Sequence, residues 1–200
     1  MSINQQVWHA IQKDPAVLLG LQRKLVNIRA LAKHLIQDKG IAGSLDSVIS
    51  SIRRFPLDEA TQEEQTLRNL FRDSVISTTN NVACVTVSGR VSDVISAITF
   101  PVLRITSGID HVKLIVESRH ASDAQNAFSD ASIEKNLSEI SVTLSQEAVA
   151  TKGVLARITS ELALANINIH EILVCPPQFL IYVAQSNIVK AHERIMSLTS

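Results

Sequence analysis

The apolar residues of this chain change their period near Ser74, and that switch limits the available architectures more than any other feature. Before it, apolar positions recur three and four apart, as on one face of a helix. After it, they fall in short β-rich runs separated by helical stretches. The β-rich runs cover residues 82–87, 102–105, 112–116, 140–144, 169–174 and 179–183. Helical patterns fill 91–98, 121–128, 154–165 and 189–198. The order strand, helix, strand, strand, helix therefore occurs twice.

The repeat is visible residue by residue. Ala83-Cys84-Val85-Thr86-Val87-Ser88 aligns with Ile140-Ser141-Val142-Thr143-Leu144-Ser145, an offset of 57, and Leu114 and Val116 align with Ile181 and Val183, an offset of 67. The extra length lies after the first strand of the second copy, where a loop from Gln146 to Lys152 precedes a longer helix; in the first copy Gly89 leads almost directly into its helix. The fold class expected is α+β, with an N-terminal helical, winged-helix-like unit followed by tandem ferredoxin-like βαββαβ copies. The expected divisions are a helical domain over 1–56, a helical linker over 57–73, a first copy over 74–135 and a second over 136–200.

In the front segment, Asp14-Pro15 places a capping residue before a proline at a first helical position, and Val17, Leu18, Leu21 and Leu25 follow at helical spacing. Asn27 caps a second helix carrying Leu31 and Leu35. After a polar turn, Ser44 caps a third whose apolar stripe is Leu45, Val48, Ile49 and Ile52. Residues 1–55 hold eight Lys/Arg against three Asp, a surplus of five positive charges that the rest of the chain cancels. A basic helical unit with a short-side-chain face suits a nucleic-acid surface. Ser44, Ser47, Ser50 and Ser51 are the candidates to enter a groove, and Arg53 and Arg54 to reach phosphates. A docking module for a protein partner remains the alternative.

The second copy resembles an ACT domain of the kind that closes aspartate kinases. The resemblance rests on Glu139-Ile-Ser-Val-Thr-Leu-Ser145, Gly153-Val-Leu-Ala-Arg-Ile158, Leu162, and Asn166-Ile-Asn-Ile169 with Ile172. It implies a small ligand, usually an amino acid, held where Gly153 opens a helix. Thr151, Lys152, Gly153 and Val154 would then face it, with Asn166, Ile167 and Asn168 at the start of the following strand. A helix N-terminus supplies free N–H groups to a carboxylate, and a glycine permits close approach. Asn166 stands where the family usually has glycine, and asparagine tolerates a left-handed backbone. The resemblance also implies homo-oligomers built through these copies. The helical front resembles helix-turn-helix units and the front end of archaeal ACT-containing proteins.

The remaining chemistry is negative. No apolar run approaches the roughly 20 residues needed to cross a bilayer, and residues 1–13 lack a signal-peptide pattern. Cys84 and Cys175 make no disulfide framework, and the six histidines show no metal-ligand spacing. No phosphate-cradling glycine loop, nucleophile elbow or paired-carboxylate signature occurs. The expectation is a cytoplasmic regulator and not an enzyme, with no metal or cofactor and an amino-acid effector. Its front end would contact DNA, making it a transcriptional regulator, or else bind an amino-acid biosynthetic enzyme as a regulatory subunit.

Overall fold

Helices α1 (Ile3–Lys13), α2 (Pro15–Gln22), α3 (Ile28–Gln37) and α4 (Leu45–Arg53) open the chain. Each starts at a side chain that accepts from its first-turn N–H groups: Ser2, Asp14, Asn27 and Ser44 respectively. Ser2 forms a full capping box with Gln5. Val7 and Ile11 of α1, Leu31 and Leu35 of α3, Val48 and Ile52 of α4, and Phe55 form one buried cluster. Trp8 closes it, packing edge-on against Phe55 with ring centroids 6.0 Å apart. Helix α5 (Leu57–Arg72) follows.

The computed structural model describes residues 1–199, apart from the side chains of residues 58–61 and 63. The chain divides into two compact units, Met1–Thr66 and Leu67–Ser200. Among the described residues the first unit contains helices and no strand. The winged-helix-like expectation is corrected on this point: there is no wing, and the polar stretch of residues 38–44 is a loop whose Ile41 is buried in the helical core.

In the second unit the chain forms β1 (Val75–Ser88), α6 (Val91–Ala97), β2 (Arg104–Ser107), β3 (His111–Glu117), α7 (Ala121–Ala127) and β4 (Ser132–Thr143). It continues through α8 (Val154–Leu164), β5 (Ile169–Cys175), β6 (Gln178–Ala184) and α9 (Ile188–Met196). All six strands make one antiparallel sheet in the order β2-β3-β1-β4-β6-β5.

The two copies are not separately closed. Val82–Ser88 of β1 pairs with β3, while Val75–Thr79 of the same strand pairs with Thr143–Glu139 of β4. Strand β4 does the same in reverse: its early residues lie against Val82–Thr86, and Leu137–Thr143 pairs with β6. Each long strand serves as first strand of one half and outer strand of the other. The joins are Asn81 and Asn136, both left-handed, with φ of 58° and 59°. Asparagine is the non-glycine residue that reaches this region most cheaply.

Pairing also corrects the repeat register. Val85 lies opposite Leu114, and Ile140 lies opposite Ile181. With Leu114 and Ile181 equivalent, Val85 corresponds to Ile140, an offset of 55 in place of 57. A slide of two residues leaves every side chain on the same face, so alternation alone could not detect it. The offset of 67 holds from β3 into α7 and α9, which begin at Ala121 and Ile188.

One face of the sheet is covered by helices in two patches. Val85, Val87, Leu114 and Val116 pack with Val94, Ala121 and Ala124; Ile140, Val142, Ile181 and Val183 pack with Val154, Ile158, Leu162 and Ile195. Leu70 and Phe71, at the end of α5, join the second patch. The opposite face holds a third cluster, of Val82, Cys84, Ile115, Leu137, Leu180 and Tyr182.

Candidate functional site

Gly153 is the residue before α8 and has φ +85°, ψ −4°. No side chain caps the helix start. Its first-turn N–H groups are therefore left without an intrahelical partner or a capping oxygen, an arrangement suited to an anion. The left-handed φ accounts for the glycine. A Cβ built there would lie 3.4 Å from Leu67 Cδ1, so the end of α5 roofs this position. Thr151 and Lys152 precede it; the Thr151 hydroxyl donates to the Glu147 carbonyl at 2.8 Å, and Lys152 is exposed.

The other expected ligand residues lie at the far end of the same helix. Asn166 is left-handed, as anticipated, with φ 55°, and it ends α8. Its N–H reaches the Ala163 carbonyl while that of Ile167 reaches Leu162, closing the last turn. Eleven helical residues separate Gly153 from this turn, a rise of about 16 Å at 1.5 Å per residue. One chain therefore does not bring Thr151, Lys152 and Gly153 together with Asn166 and Asn168. The side chains of Val154 and Ile167 are buried in the core, which corrects their expected role: only their backbone is available to a ligand. Asn168 is exposed.

The six front-end residues also separate. Ser44 accepts from Ser47 N–H at 3.2 Å and Ser47 Oγ returns a bond to the Ser44 carbonyl at 2.7 Å, so both are engaged in capping α4. Arg54 donates to Ser50 Oγ at 2.7 Å. Ser47, Ser50 and Arg54 line a cavity of about 350 Å³ with Ser2, Ile3 and Asn4. Arg53 is exposed. Ser51 is fully buried, and its expected place on a groove-facing surface is overturned. Trp8 Nε1 donates to the Ser51 carbonyl at 3.0 Å across from α1. Ser51 lies three residues after Val48 and therefore shares its apolar face.

Sequence reasoning missed the polar groups on the helix-free face of the sheet. Lys113 donates to Glu171, His170 Nδ1 lies 2.5 Å from Glu134 Oε1, and the buried Tyr182 hydroxyl donates to buried Glu139. The hydrogen bond that Lys113 donates to Glu171 holds its ammonium above its ordinary pKa, with partial burial opposing it. Burial pushes the Cys84 thiol up, with the nearby Lys113 charge opposing. Burial, then the bond to Glu139, raises Tyr182 well above the usual phenol range. Strand alternation predicts which face these residues occupy; Tyr182 and Glu139 are direct cross-strand partners, while the curl of the sheet brings Lys113 to Glu171 and His170 to Glu134. Among the described residues no group of His, Cys, Asp and Glu is arranged to hold a metal.

Over 62% of this chain the fold is that of regulatory regions of aspartate kinase. The regulatory subunit of aspartate kinase from Thermus flavus superposes with a TM-score of 0.57 at 14% identity, covering 62% of this chain and 97% of that one. The Clostridium acetobutylicum aspartate kinase gives 0.54 at 17% identity over 62% of this chain. The present chain spans only 34% of that kinase. A Vibrio cholerae protein of unknown function, described as a possible transport protein, gives 0.53 at 18% identity over 68% of this chain and 98% of its own. No protein-family model matches the sequence, and no curated protein sequence matches it. Among the described residues no helix is long and apolar enough to cross a membrane.

Proposed function

We propose that this chain is an amino-acid-responsive regulatory protein of the cytoplasm, without catalytic activity of its own. The observation that carries the reading is the uncapped α8 N-terminus behind a left-handed Gly153, in a fold shared with aspartate-kinase regulatory regions. The α-carboxylate would sit on the N–H groups after Gly153, beside Thr151 and Lys152. Asn166 and Asn168 lie about 16 Å away in the same chain. They contribute only if a second copy brings its own pair to the first copy's Gly153. This supports a homo-oligomer with the effector between chains, and such an effector regulates by favouring one arrangement of the pair.

Calorimetric titration of the full chain with each of the twenty amino acids tests the reading, with Gly153→Asp as the variant. The new carboxylate occupies the anion position and abolishes the heat of binding at this site, while strain from the left-handed backbone costs only about 1–2 kcal/mol. Heats that persist unchanged in the variant would reject the site.

The output of such a sensor has two readings. The five-charge surplus of residues 1–55, with exposed Arg53 beside Arg54, supports a transcriptional regulator contacting DNA phosphates. Ser47 and Ser50 line the same region; Ser44 contributes at the start of α4. The free-standing Thermus flavus regulatory subunit favours the second reading, a subunit that binds an amino-acid biosynthetic enzyme. A mobility shift with genomic fragments that weakens in the Arg53→Ala, Arg54→Ala double variant supports the first. Co-purification of an enzyme without any shift supports the second.

A further inference from the structure

We infer that a cavity beside the Asn81 bend of β1 binds a small zwitterion, with a free α-amino acid as its simplest form. This site is independent of the one proposed at Gly153. The cavity holds about 510 Å³, within the range of small-molecule sites, and is lined by Thr79, Asn80, Asn81, Leu103 and the run Glu117-Ser118-Arg119.

The internal repeat shows why space opens here. Ser118 begins the short 3-10 turn after β3, and Gln185 begins the corresponding turn after β6. Gln185 is long enough to reach from its own half to the other, and its Nε2 donates to Asn81 Oδ1 at 3.4 Å. Ser118 stops after one carbon. The flanking residues differ in charge as well: Ala184 and Ser186 in the second half stand where Glu117 and Arg119 stand in the first. The second half therefore makes the same turn with neutral residues, and the two charges are not demanded by the fold.

Those charges define the guest. Arg119 Nε lies 2.8 Å from Glu117 Oε2; the Arg119 side chain is largely exposed and that of Glu117 about half exposed. An exposed pair of this kind contributes little in water, so a ligand that exchanges it loses little. Arg119 can grip a carboxylate through two N–H groups. A simple anion would then sit against Glu117 and a simple cation against Arg119. A molecule carrying both charges close together satisfies both. Asn80 and Asn81 use their amide oxygens inside the bend, accepting from Ser138 and Gln185, which keeps their N–H groups as donors. Leu103 supplies an apolar edge for a side chain.

The test is calorimetric titration of the full chain with each of the twenty amino acids. Any that binds is repeated as its N-acetyl and its carboxamide derivative. Arg119→Ala and Glu117→Gln are surface changes; each should weaken binding about tenfold or more, as expected for a lost charge-assisted hydrogen bond. Both derivatives should bind at least as poorly, and Gly153→Asp should keep the heat that these variants lose. The inference is overturned if no amino acid gives heat, if Arg119→Ala leaves every affinity unchanged, or if the N-acetyl form binds as tightly as its parent.

Discussion

Lys113 on β3 donates a hydrogen bond to Glu171 on β5, although three strands separate those two in the sheet. Only a curled sheet allows it. His170 and Glu134 make a second contact of this kind, joining β5 to β4 across β6. The cluster of Val82, Cys84, Ile115, Leu137, Leu180 and Tyr182 is the apolar part of the same closure. The ion pair is partly buried, and Glu171 raises the Lys113 pKa.

A raised folded-state pKa stabilises fully below the unfolded value and is lost as pH rises through the folded one. For Lys113 the contribution is intact up to about pH 10 and disappears above it. Urea midpoints measured between about pH 8 and 11 should fall for the natural chain. They should fall less steeply for Lys113→Met, whose stability is already lower at neutral pH. Parallel curves would mean that the pair does not stabilise the curl.

Tyr182 is the single tyrosine of the chain, so phenolate absorbance reads it alone. Its raised pKa has the same sign: the phenol stays protonated in the folded state, and no phenolate should form until alkali unfolds the protein. Tyr182→Phe removes the donor to Glu139 and leaves a buried carboxylate short of a partner. That should cost about 1–3 kcal/mol, measured by urea unfolding.

Ser51 is buried, and its hydroxyl has no hydrogen-bond partner. Ser51→Ala should therefore be neutral or stabilising by up to about 1 kcal/mol, since a buried unsatisfied group is removed. Trp8 is the only tryptophan and belongs to the same helical core, so its fluorescence follows unfolding of this unit. If Ser51 instead served a nucleic-acid surface, the variant would weaken a mobility shift at unchanged stability.

Asn136 is exposed and left-handed at the join within β4. Asn136→Gly should change stability by only a few tenths of a kcal/mol. Asn136→Val should cost about 1–2 kcal/mol, because a β-branched side chain meets the preceding backbone in this region. Equal thermal midpoints for the two variants would show that the bend does not depend on the left-handed residue.

Much of the second unit is legible in the sequence. The helix expected over 154–165 is Val154–Leu164, and the strand expected over 179–183 is Gln178–Ala184. The caps Asp14, Asn27 and Ser44 are where local chemistry placed them. The left-handed Asn166 was likewise readable. What escaped notice depends on partners far away in the chain. Ser51 is buried and its carbonyl accepts from Trp8 of α1, a contact that no pattern local to α4 contains. Gly153 and Asn168 were grouped by motif, although α8 holds them at opposite ends.

Periodicity, capping and turn preference act over a few neighbouring residues, so the residues themselves dictated the helices, the strands and the fact of a repeat. Strand partners were chosen by the folded whole. The alternation of a strand repeats every two residues, so a register of 55 or 57 is equally consistent with it, and so is a first strand that also edges the other half. Curl then added contacts that no local rule contains: Lys113 meets Glu171 because every intervening strand twists in the same sense.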